Sequence, residues 1–231
     1  MNFIVTGMND QYWNPWGISW IASLKELSQT SCKIIVVDFG LNNYTKKKLN
    51  EIDVLVQKEN HNSNIRNATL SSIINLSKNL DGNIAYFDAD CWFQEKIDHV
   101  FDLIEDKMIM VKNNNPGFLA GSNKAWQKFD IVNKITSVMK DENKVECMVK
   151  YFASDVKFID DKFNCINVPD LKDNNGLLSL HEEVQTVIHP TGILKKLALR
   201  KNLMFYERYS DIFKSYEISN KIKLSRKLFI S

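Results

Sequence analysis

The sequence predicts an α/β fold with a mixed, mostly parallel central sheet and helices on both faces. Three observations lead there. Short β-branched or aromatic runs alternate with helical patterns over roughly the first 110 residues. Those runs are apolar nearly throughout, as strands buried on both faces are. Polar residues gather where the runs end, at Thr6-Gly7, Asp38 and Asp88-Ala89-Asp90. In open α/β sheets ligands lie beyond the carboxyl ends of the strands, so these ends are where chemistry is expected.

The elements follow in chain order. Phe3-Ile4-Val5, ending at Thr6-Gly7, is a short buried strand. Asn14-Pro15 reads as an N-cap with proline in the first helical position. The helix then runs to about Ser28 and buries Ile18, Ile21, Ala22, Leu24 and Leu27. Lys33 to Asp38 (KIIVVD) is the second strand, Tyr44 to Asn50 a short basic helix, and Asp53 to Gln57 the third strand. After the polar loop 58–64, Ser63 or Asn64 caps a helix carrying Leu70, Ile73, Ile74 and Leu76. Asp81-Gly82 turns the chain into strand Ile84 to Phe87. A helix from Glu95 to Glu105 and a strand from Met108 to Val111 come next. Beyond them the pattern predicts a strand at Phe118 to Gly121 and a helix from Lys124 to Lys140. Strands at Val156 to Ile159 and Gln185 to Ile188 follow, with a polar loop at 169–176 between them.

Length and composition bound the function. The 231 residues suffice for one α/β domain. This divides the chain into a domain over 1–195 and a basic helical extension over 196–231. Hydrophobic residues make up 44% and the net charge is +2, which argues neither for nucleic acid nor for a membrane-embedded chain. Cys32, Cys91, Cys147 and Cys165 are scattered, with no zinc-type spacing and no disulfide framework. The first ten residues read as a strand rather than a signal peptide, and no apolar run is long enough to cross a bilayer. The expected location is the cytoplasm.

Tyr86-Phe87-Asp88-Ala89-Asp90-Cys91-Trp92 carries the chemistry. In extended backbone, residues two apart project to one side. Two carboxylates so placed repel unless a cation lies between them, and their oxygens suit Mg²⁺ or Mn²⁺. A diphosphate can fill the remaining coordination positions. The plain alternative for an isolated Asp-x-Asp is a solvated turn, but this pair ends an apolar strand and precedes large side chains. His189 also stands at a strand end, before Pro190-Thr191-Gly192. It reads either as a third ligand or as a half-buried histidine in a turn. Lys195 could meet a phosphate as a point charge.

Four stretches together resemble the retaining GT-A glycosyltransferases that include glycogenin and the bacterial lipopolysaccharide galactosyltransferases. Asp10-Gln11-Tyr12 with Ser23-Leu24 is similar to the family's opening, where a strand end (here Thr6), an acidic residue and a tyrosine hold the nucleotide base. Asp88-Ala89-Asp90 matches the aspartate motif. Asn115-Pro116-Gly117 is similar to the Asn-x-Gly segment lining the donor sugar, and His189 through Gly192 to Lys195 fits His-x-x-Gly-x-x-Lys. The resemblance covers residues 1 to 196. It implies a GT-A domain and a nucleotide-sugar donor, a UDP-sugar by analogy. It makes Asp88, Asp90 and His189 the ligands of Mn²⁺ or Mg²⁺ and places Lys195 on the diphosphate. The acceptor is then a hydroxyl of a glycan, a lipid-linked carrier or a protein. The family's Pro-Trp after the lysine is replaced by Lys196-Leu197, and its Asp-Gln-Asp is absent, with Glu146 the nearest catalytic carboxylate.

Other residues have two readings each. Arg66 is either a surface arginine opening a helix or, by the resemblance, a contact to phosphate or sugar. Asp38 is read as a cap for Phe39-Gly40 rather than a nucleotide contact. Among Tyr12, Trp13 and Trp16, one ring is expected to stack on the base, an interaction worth ~1–3 kcal/mol. From Lys195 to Ser231 there are ten Lys or Arg and three Asp or Glu, interleaved with apolar residues. Such a tail is either a solvated face or a peripheral contact with an anionic membrane. Two other functions compete: a sugar nucleotidyltransferase, against which the Gly7-Met8-Asn9-Asp10 turn lacks a basic glycine-rich loop, and a non-catalytic nucleotide-binding or assembly protein.

Overall fold

Strand β1 (Asn2–Met8) lies inside the sheet because every residue after Asn2 is buried. Its alternating side chains feed two cores. Ile4 and Met8 face one apolar cluster, Phe3 and Val5 the other. A computed structural model describes residues 1–59, 65–112, 115, 117–139, 153–167, 170, 172–174 and 177–189.

Parallel strands β2 (Lys33–Asp38) and β3 (Val54–Lys58) extend the sheet from one side of β1, and β4 (Asn83–Phe87) joins the other side in parallel. Then β7 (Phe118–Ser122) pairs antiparallel with both β4 and β6 (Met108–Val111), and β8 (Val156–Ile159) closes the edge parallel to β6. The order is β3-β2-β1-β4-β7-β6-β8, a mixed and mostly parallel sheet as the pattern predicts. The helices Ile65–Ser77 and Asn123–Met139 cover one face through Leu70, Ile73, Ile74, Trp126 and Phe129. Each fully buried aliphatic side chain of this kind contributes ~1.5–3 kcal/mol. Trp126 also donates its indole N–H to the Ile84 carbonyl at 3.0 Å. The helical segment 10–27 covers the opposite face with Ile18, Trp20, Ile21 and Leu24.

Several expectations are corrected. The first helix starts at Asp10, capped by the Asn9 side chain on the Tyr12 N–H at 2.9 Å, and not at Asn14. Trp13–Gly17 and Ser23–Leu27 are π-helical. Pro15 falls inside the first of these turns, where its missing N–H breaks the usual ladder and the Ile18 N–H reaches back to the Trp13 carbonyl. Asp53 has φ +58, so β3 begins one residue later, at Val54. The expected helix over 95–105 is a 3₁₀ segment, Asp98–Leu103. Two tethers hold it to the loop before β2: Ile97 N–H on Ser28 Oγ at 3.0 Å, and Asp98 accepting from the N–H and hydroxyl of Ser31 and from Thr30. Part of the expected polar loop 169–176 is strand β9 (Lys172–Asn174). It pairs with β10 (Leu177–Leu180), which pairs in turn with β11 (Glu183–Val184). Gln94 pins this small sheet by two N–H bonds, to Leu178 O and Gln185 O, and one accepted from Leu178 N–H. The Ser63 and Asn64 caps and the boundary at 195–196 lie outside the described residues.

Candidate active site

Three local decisions of the backbone assemble the site at the carboxyl end of β4. Strand β4 delivers Asp88 to the sheet edge, and the Cys91 N–H then bonds the Asp88 carbonyl at 3.1 Å. The chain therefore turns between the two aspartates. They meet through this turn and not, as the sequence suggested, through extended backbone. Strand β7 starts opposite that point, and Asp88 N–H donates to Gly117 O at 2.9 Å. Finally β5 (Trp92–Phe93) pairs antiparallel with β12 (Val187–Ile188), Ile188 opposite Trp92. That register carries the next residue, His189, to the aspartates.

Asp88, Asp90 and His189 are 6%, 4% and 1% exposed. Their candidate ligand atoms all lie within 4.8 Å of one another. His189 Nε2 is 3.4 Å from Asp88 Oδ2 and 3.3 Å from Asp90 Oδ1. Burying carboxylates is costly unless positive charge answers them. Arg66 answers part of it. Its Nε donates to Asp88 Oδ1 at 3.2 Å and its Nη2 to Asp88 Oδ2. Burial opposes the guanidinium charge, but the attraction of Asp88 and the hydrogen bonds to it outweigh this and raise the Arg66 pKa. The Tyr86 hydroxyl also donates to Asp88 Oδ1, and burial followed by the Asp88 charge pushes that phenol well above its ordinary pKa. Among the described residues, two buried carboxylates here face one guanidinium. Two carboxylates and an imidazole are a donor set that fits a hard or borderline divalent cation. This group can hold a metal.

The other residues expected at the site fall as follows. Ala89 is in the turn between the aspartates, 6% exposed. Asn115 Oδ1 accepts from Gly117 N–H at 2.8 Å and from Asn164 Nδ2 at 3.1 Å, so Asn115 and Gly117 wall the histidine side. Thr6 is fully buried in β1, and its hydroxyl has no hydrogen-bond partner among the described residues. Gly7, beside it, lets the Ile65–Ser77 helix approach, since a Cβ there would stand 1.8 Å from Thr69 Oγ1. The Asp10 carboxylate accepts from Asn42 N–H at 3.0 Å. It braces the residue whose own side chain caps the Asn43–Glu51 helix, a cap worth ~1 kcal/mol. Of the three neighbouring aromatics, Trp13 is buried and Tyr12 is 37% exposed. Asp38 is a cap, as expected: its Oδ1 accepts from Leu41 N–H at 2.6 Å and Gly40 N–H at 2.8 Å. Burial opposes its charge, but those two bonds and Lys46 at 3.3 Å hold the carboxyl below its usual range. Glu146, Gly192 and Lys195 lie outside the described residues.

Two participants were not singled out from the sequence. Tyr86 had a signal, since it stands two residues before Asp88 on the same strand face. Asn164 had none, because it reaches the site only through the pairing of residues distant in sequence.

The comparisons bear on this geometry. No family model matches the sequence, and no curated protein does. Solved structures do match. The galactosyltransferase LgtC, in complex with donor and acceptor sugar analogues, superposes with TM-score 0.65 at 16% identity, over 93% of this chain and 96% of that one. The chain has the GT-A fold. The glycosyltransferase GlyE of Streptococcus pneumoniae TIGR4 gives TM-score 0.64 at 14% identity over 93% of this chain. The match spans only 63% of the GlyE chain. Mouse xyloside xylosyltransferase 1 in its apo form gives 0.55 at 10% identity, over 84% of this chain and 99% of that one. At these identities the likeness establishes architecture, and function must be argued from the site.

Proposed function

We propose that this protein is a glycosyltransferase that moves a sugar from a nucleoside-diphosphate sugar, a UDP-sugar by resemblance, to an acceptor hydroxyl in glycan or lipopolysaccharide-type assembly. The buried Asp88, Asp90 and His189 cluster at the carboxyl end of β4 carries this reading. Those three side chains would hold Mn²⁺ or Mg²⁺. A bound divalent cation supplies charge stabilisation for the departing diphosphate, the largest electrostatic need of such a step. Arg66 fixes Asp88 in place and brings a permanent positive charge to the rim of the site. Tyr86 holds the other side of the same carboxylate. Lys195 is assigned to the diphosphate and Tyr12 to the base, by the family's pattern. Retention of configuration is part of the proposal on the same ground, and the anomer of the product measured by NMR decides it.

Thermal unfolding with a panel of nucleoside diphosphates and nucleotide-sugars, with and without Mn²⁺, tests the reading. A ligand present at about 100 times its dissociation constant adds ~2.7 kcal/mol of stability. We expect a Mn²⁺-dependent rise with a uridine nucleotide that Asp90→Ala lacks. If no nucleotide moves the transition under either condition, the glycosyltransferase reading fails.

The proposal extends to peripheral membrane contact through residues 196–231. Among the described residues no helix is long and apolar enough to cross a membrane. The full chain is expected to co-sediment with anionic liposomes and the chain lacking 196–231 to remain in solution. Equal sedimentation of both removes this part.

A further inference from the structure

We infer that Asn164 is a positioning residue that selects the tautomer of His189 and so aims an imidazole lone pair at the cation site. The inference rests on the function proposed above but is argued from bonds that are independent of it. Asn164 is fully buried, and so is His189 apart from 1% of its surface. Asn164 Oδ1 and His189 Nδ1 are 2.9 Å apart.

The direction of that bond follows from a backbone donor two links away. An amide N–H can only donate. Gly117 N–H points at the Asn115 side chain, so the atom it meets, at 2.8 Å, is the oxygen. That oxygen also receives Asn164 at 3.1 Å, so Asn164 must present its NH₂ group there. The same NH₂ group reaches the Asn115 carbonyl at 3.5 Å. The end of Asn164 left for His189 is its oxygen, which can only accept. His189 Nδ1 therefore carries a proton. In the neutral ring Nε2 then holds a lone pair, and Nε2 is the atom facing Asp88 and Asp90.

Backbone pairing keeps the two residues in register. Cys165 N–H donates to Val187 O at 2.9 Å, and His189 N–H donates to Cys165 O at 2.8 Å. The Asp160 side chain caps the short 3₁₀ turn Asp161–Asn164 at its start. Asn164 thus arrives at the ring from a rigid frame. Groups that orient a metal-bound histidine in this way typically change metal affinity 10–100-fold when removed.

The test uses the full chain with ¹⁵N-labelled histidine and long-range ¹H–¹⁵N correlation spectra, which tell the two neutral tautomers and the doubly protonated ring apart. The His189 signals are identified by their loss in His189→Gln. Wild type is expected to show the Nδ1–H tautomer without added metal. Asn164→Asp keeps the acceptor toward Nδ1 while losing the donor toward Asn115, and is expected to retain the proton on Nδ1. Asn164→Ala is expected to lose it and to bind Mn²⁺ at least tenfold more weakly by electron paramagnetic resonance titration. A wild-type ring with Nδ1 unprotonated would overturn the inference without any variant. A folded Asn164→Ala with the wild-type Mn²⁺ affinity would overturn it too. If wild type binds no Mn²⁺, the proposed function loses its cation, while the tautomer spectrum still decides the role of Asn164.

Discussion

Asp90→Asn is expected to abolish divalent-cation binding and to lower sugar transfer on the order of 10³-fold, while the cation-free protein melts no lower than wild type. The argument is electrostatic. Asp88 and Asp90 are both buried and their ligand atoms lie within 4.8 Å. Unit like charges at about 4 Å repel by ~4 kcal/mol at an effective dielectric near 20. Arg66 is hydrogen-bonded to Asp88 and is attracted by Asp90 as well, so it offsets part of this repulsion. Removing the Asp90 charge while keeping its shape relaxes the repulsion that remains. It also weakens one of the three candidate ligands, since a carboxamide oxygen is a poorer donor to a hard cation than a carboxylate. Functional sites hold such mutual repulsion because a ligand repays it. Melting curves with Mn²⁺ and with a chelator measure both halves. Wild type should rise with Mn²⁺ and the variant should not. A variant that melts well below wild type in chelator, with no response of wild type to Mn²⁺, would make the carboxylate pair a structural feature.

The sequence exposed those parts of the molecule that depend on local pattern. Lys33–Asp38, Met108–Val111 and Val156–Ile159 are strands at the expected bounds, because a short run rich in β-branched or apolar residues and bounded by polar loops has few other fates. The Asp-x-Asp motif was visible because two charges interrupt an apolar run. His189 was visible because it ends one. Features set by tertiary contact were not. Residues 95–105 carry helical periodicity, yet Ser28, Thr30 and Ser31 capture Ile97 and Asp98 and leave room for a 3₁₀ segment alone. The strands of the β9–β11 sheet are only two to four residues long, and much of its placement comes from the buried Gln94, whose three backbone partners lie more than eighty residues away. Asp10 looked like a base contact, and the structure shows a carboxylate engaged with Asn42 as well. Its role toward a nucleotide is for the binding panel to decide.

Gly117→Ala is expected to damage folding and cation binding together, the reverse of the Asp90→Asn pattern. A Cβ at Gly117 would fall 2.1 Å from His189 Cε1, 2.2 Å from His189 Nδ1 and 2.8 Å from Asn115 Oδ1. No real carbon approaches so closely, and the ring cannot retreat easily. Its Nδ1 is hydrogen-bonded to Asn164, and its backbone is fixed by the Cys165 carbonyl. Gly117 has little freedom either, since its carbonyl accepts from Asp88 N–H and its own N–H donates to Asn115. One added methyl must therefore displace the imidazole or open the start of β7. Overpacking of this kind costs ~1–3 kcal/mol. Moving Nε2 by even an ångström from the two carboxylates should weaken Mn²⁺ binding at least tenfold, since metal ligation tolerates only a few tenths of an ångström. Urea denaturation gives the first quantity and Mn²⁺ titration of the still-folded variant the second. If the variant loses stability but binds Mn²⁺ as wild type does, His189 does not ligate from the position it occupies here, and the two aspartates hold the cation without it.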